Sequence, residues 1–448
     1  MAVPKARDVK LTADREKVVL VGGYREGSLL PNEEPLEELT RLAETAGAQV
    51  VGRVVQHIKE ISSATYIGKG KVQEVRELAE AQGARCILFD HDLHPAQAKH
   101  LDDATGMKVM DRTELILDIF ASRARTRTAI VQVGIALLEY RLPRLKRLWT
   151  HLERQEGGIG MRGGPGERQI EVDRRKIEKH LYDLKHEVKL IEARKERMVR
   201  ARASDHFLVS LVGYTNAGKS TLMRALTGED VRIEDKLFAT LDTKTSQLKL
   251  GKGIQVLISD TVGFIRRLPH QLIASFHATL EEAREADLLL HVADVSSPLV
   301  RGQIVAVNDV LREIGCEQTE MLPIFNKVDA IPPNLELNFR RLVKDFPDAI
   351  PISALKAEGL SRLKNEILSC ARKSAVLLTL AVHAGDGKTL AFLARHFFED
   401  SCEVDGEWLK LKGSISQDVL QKLLASNTTI KIIKGWPVVG YGNREAKW

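Results

Sequence analysis

Cysteine is scarce in this chain: four in 448 residues, Cys86, Cys316, Cys370 and Cys402, with no C-x-x-C pair among them. That excludes a disulfide framework and a paired-cysteine zinc site, and it fits a reducing compartment. Long apolar runs are also missing, and nothing approaches the roughly 18 residues a membrane-crossing helix needs. The opening stretch MAVPKARDVKLTADREKVV lacks the apolar core of a secretory leader. These absences lead us to expect a soluble cytoplasmic protein with no membrane span.

Length then bounds what is present. A chain of 448 residues is too long for one core, so two to four domains are expected. The net charge is +6, which hints at a polyanionic partner, but the distribution says more than the total. Residues 121–205 carry 21 Arg and Lys against 12 Asp and Glu, a surplus of +9, so the rest of the chain sums to −3. A localised basic surplus is what a nucleic-acid contact surface requires, although a solvated helix face has the same composition.

Residues 1–120 alternate short β-branched runs, VVLVGG (18–23), QVVGRVV (49–55), RCILFD (85–90) and MKVMD (107–111), with helical stretches at 35–47 and 71–83. Such alternation predicts a parallel α/β sheet. Residues 121–205 change character. AIVQVGIALLEYRLPRLKRLWTHLERQ predicts one long helix kinked at Pro143. Ile177, Leu181, Leu184, Val188 and Ile191, spaced 4, 3, 4 and 3, predict the apolar seam of a second.

Between the two helices lies EGGIGMRGGPGE, which contains a G-x-G-x-x-G pattern from Gly158 to Gly163. A dinucleotide site needs that pattern straight after a strand, and here a charged helix end precedes it. The glycines, Gly160 included, and Pro165 are expected instead to reverse the chain at the tip of an antiparallel helical hairpin. Arg154, Arg162 and Arg168 beside that slim tip are placed to meet RNA phosphates or to stack on bases. The same seam also allows a hairpin that docks a protein effector with no RNA involved.

Residues 206–372 carry the chemistry. G-Y-T-N-A-G-K-S (Gly213, Tyr214, Thr215, Asn216, Ala217, Gly218, Lys219, Ser220) follows the strand FLVSLV and precedes a helix. Successive backbone N–H groups cradle phosphates, Lys219 reaches the β- and γ-phosphates, and the Ser220 hydroxyl suits Mg²⁺. F-A-T-L-D (Phe238, Ala239, Thr240, Leu241, Asp242) lies where a switch threonine belongs, offering Thr240 as a second hydroxyl to Mg²⁺. D-T-V-G (Asp260, Thr261, Val262, Gly263) follows the next strand; Asp260 suits a water-mediated hold on magnesium and the Gly263 N–H the γ-phosphate.

N-K-V-D (Asn326, Lys327, Val328, Asp329) places a carboxylate where it accepts from the N1 and N2 protons of guanine, which adenine cannot supply. S-A-L (Ser353, Ala354, Leu355) follows the strand AIPIS and offers a backbone N–H to the guanine oxygen. Five motifs in order, each after a strand, predict a phosphate-loop GTPase with Lys219, Thr240 and Gly263 at the reacting phosphate. Phe264 stands where a water-orienting glutamine often follows D-x-x-G, so slow intrinsic hydrolysis and dependence on a partner are expected.

Residues 373–448 predict a small α/β unit read as β-α-β-α-β, with TLAFLARHFFED as its first helix. There, A-G-D-G-K-T (384–389) looks like a second phosphate loop but has Val382 where its first glycine belongs, so a polar turn is expected. G-K-G-K (68–71) is likewise expected to be a helix-start turn.

The phosphate-loop motif, F-A-T-L-D and above all D-T-V-G-F-I-R-R-L-P-H-Q-L-I-A-S-F-H-A-T-L-E-E (260–282) resemble the HflX GTPases of the Obg-HflX group. So do A-T-Y-I-G-K-G-K (64–71), H-P-A-Q-A-K-H-L (94–101) and G-G-I-G-M-R-G-G-P-G-E (157–167). The resemblance spans about residues 15 to 372. It implies a multidomain α/β GTPase that binds the large ribosomal subunit and its RNA, dissociates stalled or hibernating ribosomes and is stimulated by them. GTP and GDP are then the ligands, Mg²⁺ the cofactor and a monomer the expected state. Potassium-activated relatives carry an asparagine at the place of Asn216, which suggests K⁺ as a second ion.

Overall fold

The first sheet is built from β1 (Lys17–Tyr24), β2 (Gln49–His57), β3 (Cys86–Phe89) and β4 (Lys108–Asp111), all parallel in the order β2-β1-β3-β4. Period-two alternation sorts its side chains. Val18 and Leu20 of β1 point into one core with α1 (Glu37–Thr45) and α4 (Arg112–Arg123), while Val19 and Val21 point into another with α2 (Lys69–Gln82) and α3 (Pro95–Thr105). Gly68 is the N-cap of α2, so G-K-G-K is a helix start.

This computed structural model describes residues 16–27, 29, 34–144, 165–203, 206–228, 237–238, 244–250, 255–266, 282–373, 375–415, 419–420, 423–424 and 430–436. The hairpin tip with Arg154, Gly158, Gly160, Arg162 and Gly163, and the switch residues Ala239, Thr240, Leu241 and Asp242, lie outside them.

The helix expected to kink at Pro143 ends there instead. α5 spans Arg127–Arg141, and Leu142–Arg144 tighten into a 3-10 turn. Arg144 explains the stop: its guanidinium lies 3.7 Å over the Tyr140 ring and donates to the Leu93 carbonyl (2.9 Å) and to Asp111 Oδ2 (3.2 Å). Asp111 also accepts from the Tyr140 hydroxyl at 2.9 Å and caps α4 through the Glu114 N–H. The root of α5 is thereby tied to the end of β4. The second long helix, α6 (Pro165–Ala203), packs Leu181, Leu184 and Val188 of the expected seam against Val131, Ile135 and Leu138 of α5. Arg168 lies on its first turns.

The second sheet has the order β10-β9-β8-β5-β7-β6, parallel except for the edge pair β6–β7. Its strands are β5 (Leu208–Gly213), β6 (Lys244–Lys249), β7 (Gln255–Asp260), β8 (Leu288–Asp294), β9 (Glu320–Asn326) and β10 (Ile350–Pro351), accompanied by α7 (Lys219–Thr227), α8 (Val300–Glu313), α9 (Glu336–Asp345) and α10 (Leu360–Lys373). Each phosphate or base motif stands at the C-terminal end of a strand, where ligands of open α/β sheets bind.

The C-terminal unit corrects the sequence reading. Its order is β11 (Val376–His383), α11 (Gly387–His396), β12 (Phe397–Asp405), β13 (Trp408–Ile415), a helical segment including Val419 and Leu423, then β14 (Ile430–Trp436). H-F-F-E-D does not continue the helix; it opens a strand. Two adjacent phenylalanines on a strand face opposite ways, and Phe397 enters this unit's core while Phe398 enters that of the second sheet. Asp405-Gly406, with Gly406 at φ 61°, makes the hairpin turn to β13. Asp386 caps α11 through the Thr389 N–H (3.1 Å), so A-G-D-G-K-T is a polar turn.

Candidate nucleotide site and its seam with the N-terminal unit

The phosphate loop begins where β5 runs against β8. Gly213 has φ 154°, and a Cβ there would sit 2.2 Å from the Val292 carbonyl oxygen, so only glycine lets β5 turn out at this point. Gly218, at φ 92°, would press a Cβ to 2.3 Å from Nδ2 of Asn326. That close approach serves a staple. Asn326 donates to the Ala217 carbonyl (2.9 Å) and accepts from the Ala354 N–H (3.0 Å). The buried Asn326 thus joins the phosphate loop to the S-A-L loop, with Ser353 fully buried and Leu355 76% exposed. Lys327, at φ 66°, pairs with Asp294 at 2.7 Å and turns the chain so that Asp329 lies in a half-buried 3-10 turn. Asp294, at the end of β8, escaped the sequence reading because a lone aspartate after a strand carries no signal.

Lys219 is buried and donates to the carbonyls of Gly213 and Tyr214, both at 3.0 Å. Burial lowers its pKa to about 8, against the opposing pull of Asp260. His291 beneath it is held to about 4 by burial and by the Lys219 charge, so it is neutral at physiological pH. A bound polyphosphate favours the ammonium and raises the Lys219 pKa, so binding takes up a proton above pH 8. Nucleotide affinity is therefore full below pH 8 and falls above it, toward about tenfold per pH unit. Titration calorimetry in buffers of different ionisation enthalpy should show this uptake in the native chain and none in Lys219→Ala.

Ser220 Oγ donates to Asp260 Oδ2 at 2.6 Å. A hydroxyl and a buried carboxylate oxygen together at the head of α7 are the hard donors Mg²⁺ accepts, so these residues fit the ion.

The D-T-V-G segment is sewn to the phosphate loop. The Thr215 N–H donates to the Phe264 carbonyl (2.7 Å) and the Phe264 N–H to the Gly213 carbonyl (3.1 Å). Thr261 is anchored on the Leu211 carbonyl at 2.6 Å, and Val262 is buried. A Cβ on Gly263 would come within 2.9 Å of Thr215 Cα and 3.1 Å of Lys219 Nζ, so the glycine backbone faces the phosphate loop directly. Phe264 itself is 2% exposed, in a core that runs without a break from Leu39, Leu115 and Phe120 of the N-terminal unit to Val212, Tyr214 and Phe264.

That shared core is lined by polar bonds. Tyr214 donates its hydroxyl to Glu38 in a short bond and accepts from the Arg266 N–H at 2.9 Å. Burial beside Glu38 holds the Tyr214 hydroxyl well above its usual range. Arg112, 3% exposed, pairs with Asp90 (2.9 Å) and Glu38 (2.5 Å) and donates to the Arg266 carbonyl (3.1 Å). Burial works against its charge, and Glu38 and Asp90 more than offset that, so its pKa is raised.

The start of the other switch is held too. Phe238 packs edge-on against Phe120 at 4.6 Å, its carbonyl accepts from Arg123 at 2.6 Å, and the Leu237 N–H donates to Thr45 at 3.3 Å. Beside the phosphate loop a cleft of about 180 Å³ opens between Glu34, Glu38 and Arg41 on one side and Tyr214, Asn216 and Asp294 on the other.

Profiles of known families match three stretches of the chain: "GTP-binding GTPase N-terminal" over residues 33–121, "GTP-binding GTPase Middle Region" over 123–202 and "50S ribosome-binding GTPase" over 208–327. The GTPase HflX of Magnetococcus marinus is 45% identical over 358 residues, covering 80% of this chain and 82% of that protein. The GTPase HflX of Caldanaerobacter subterraneus is 46% identical over 359 residues, covering 80% and 81%. Among solved structures, the "SsGBP and GDP complex" is 25% identical, covering 80% of this chain and 98% of that one, with a TM-score of 0.45.

Proposed function

The chain belongs to the HflX family of GTPases, and from that premise we propose that it is a nucleotide switch that acts on the large ribosomal subunit and its RNA to dissociate stalled or hibernating ribosomes. That it binds GTP and hydrolyses it follows from the family. The observation that carries the rest is the seam. The first residues of both switch segments, Phe238 and Phe264–Arg266, are packed or hydrogen-bonded into the N-terminal unit. A γ-phosphate that draws the Gly263 amide toward itself pulls on Phe264 and Arg266, and through Arg112 on α1 and α4. Nucleotide state is thereby converted into the posture of the N-terminal unit.

In this reading Lys219 and the loop amides hold the phosphates, and Asp329 selects guanine. Ser220 and Thr240 hold Mg²⁺, which when bound neutralises phosphate charge. Asn216, at φ 59°, is placed to face a K⁺ ion. Phe264 has no group with which to orient water, so turnover is slow until a partner acts. The basic stretch 121–205, with Arg154, Arg162 and Arg168, supplies the RNA contact. A monomer working in the cytoplasm completes the reading; no helix among the described residues is long and apolar enough to cross a membrane.

GTP turnover should rise at least tenfold on adding large ribosomal subunits, more in potassium than in sodium buffer. Replacing Arg154, Arg162 and Arg168 together should abolish that rise and leave nucleotide affinity intact. If subunits neither stimulate turnover nor co-sediment with the GTP-bound chain, the ribosomal reading is wrong. Binding that ignores ionic strength would point instead to a protein effector docked on the α5–α6 seam.

A further inference from the structure

The C-terminal unit takes no part in the nucleotide site, and its connectivity is specific. The strand order β12-β13-β11-β14, all antiparallel, with α11 and the Val419–Leu423 segment between strands, is the split β-α-β arrangement. Leu378, Leu380 and Val382 of β11 and Leu411 and Ile415 of β13 share one core with Leu393, Val419 and Leu423. Both helical segments therefore cover the same face. At one end of the other face, Phe398 enters the core of the second sheet and Arg372 approaches Asp400 at 3.8 Å. The remainder of that face is open.

Strand register states what the open face carries. His383 pairs with Trp408, Ala381 with Lys410 on one side and Lys431 on the other, and Thr379 with Lys412 and Lys434. Small residues on the central strand are thus flanked by lysines and by one large aromatic. His383 meets Trp408 edge-on at 5.6 Å and 86°, and Lys431 Nζ stands 4.6 Å above the indole. Edge strand β12 adds Glu403 and Asp405, and Asp405 pairs with Lys410 at 2.6 Å. Glu407 reaches His383 at 3.2 Å. Lys412 is exposed and has no ion pair among the described residues.

Connectivity alone assigns no activity; the side chains do. We propose that the open face of the C-terminal sheet is a platform for single-stranded nucleic acid, with a base stacked on Trp408 and Lys410, Lys412 and Lys431 meeting backbone phosphates. A flat sheet whose central strands offer an aromatic plane between cations is how four-stranded sheets hold single strands. Lys431 moves from the indole to a phosphate, and the uncovered ring takes the base. An acidic peptide meets the lysines equally well but makes no use of the indole. The proposal stands independently of the ribosomal reading.

The test uses the full chain and a 4-thiouridine-labelled oligouridylate decamer, with the oligothymidylate decamer and polyglutamate of equal charge as competitors. Photo-crosslinks should map to β11 and β13, and oligothymidylate should displace the probe far better than polyglutamate. Trp408→Ala should weaken binding at that site about tenfold. Lys410, Lys412 and Lys431 replaced together by glutamine should lower the salt slope there by about two. GTP hydrolysis, which uses none of these residues, and the thermal midpoint check that each variant is folded. Crosslinks confined to residues 121–205, an unaltered Trp408→Ala, or displacement by polyglutamate as effective as by oligothymidylate would each overturn the platform.

Discussion

Arg112→Ala should lower the stability of the N-terminal unit by about 3–5 kcal/mol, because it strands the buried Asp90 and Glu38 carboxylates without their common cation. Much of that cost is the charge left behind. Asp90 keeps the Tyr24 hydroxyl at 2.8 Å and Glu38 keeps the Tyr214 hydroxyl, but neither hydrogen bond replaces an ion pair at 3% exposure. Tyr214→Phe should cost about 1–3 kcal/mol by a different route: it leaves the Arg266 N–H, bonded at 2.9 Å, without its acceptor.

Because Arg112 and Tyr214 grip the same two groups, Glu38 and the Arg266 backbone, their effects should not add. The double variant should be less destabilised than the sum of the singles by more than about 0.5 kcal/mol. Denaturant titration followed by a probe in the N-terminal unit measures the cycle. Additivity would mean that the network does not act as one clamp, and the seam would lose its standing as the link between switch and N-terminal unit.

That clamp was illegible in the sequence for a physical reason. Arg112 opens α4 directly after Asp111, where an arginine normally points to solvent, and its partners lie 22, 74 and 154 residues away. Tyr214 was visible as a phosphate-loop residue, but the loop pattern leaves that position open and says nothing of where a hydroxyl goes. The nucleotide motifs were legible because each combines a short rigid pattern with a strand of buried β-branched residues before it, and both conditions are local. The first sheet was legible for the same reason. α3 and α4 were not read as helices, although α4 buries Leu115, Ile116, Leu117, Ile119 and Phe120. A helix apolar on nearly every side lacks the one-sided periodicity that marks a surface helix. β12 was lost to α11 because seven of its nine residues are exposed and charge-rich, so only the Asp405-Gly406 turn betrayed a hairpin.

Asp329→Asn should weaken GTP binding a hundredfold or more and confer binding of xanthosine triphosphate. The two hydrogen bonds from guanine N1 and N2 to a carboxylate are each worth about 1.5–3 kcal/mol, and an asparagine offers one acceptor and one donor in place of two acceptors. Its NH₂ then opposes the guanine amino group, whereas the xanthine C2 carbonyl accepts from it. The frame around the residue should survive, since the change is isosteric and the turn is held by other atoms: the Val328 N–H on the Ile352 carbonyl at 3.3 Å, Lys327 on Asp294, and the Asn326 staple.

Asn326→Ala supplies the contrast. It removes the bonds to Ala217 and Ala354 and opens space behind Gly218, so it should weaken guanine and xanthine nucleotides alike. Dissociation constants for both nucleotides on both variants separate selection from scaffolding. Unchanged GTP affinity in Asp329→Asn would remove Asp329 from base recognition. A loss for both nucleotides with no gain for xanthine would reassign it to the scaffold that Asn326 already serves.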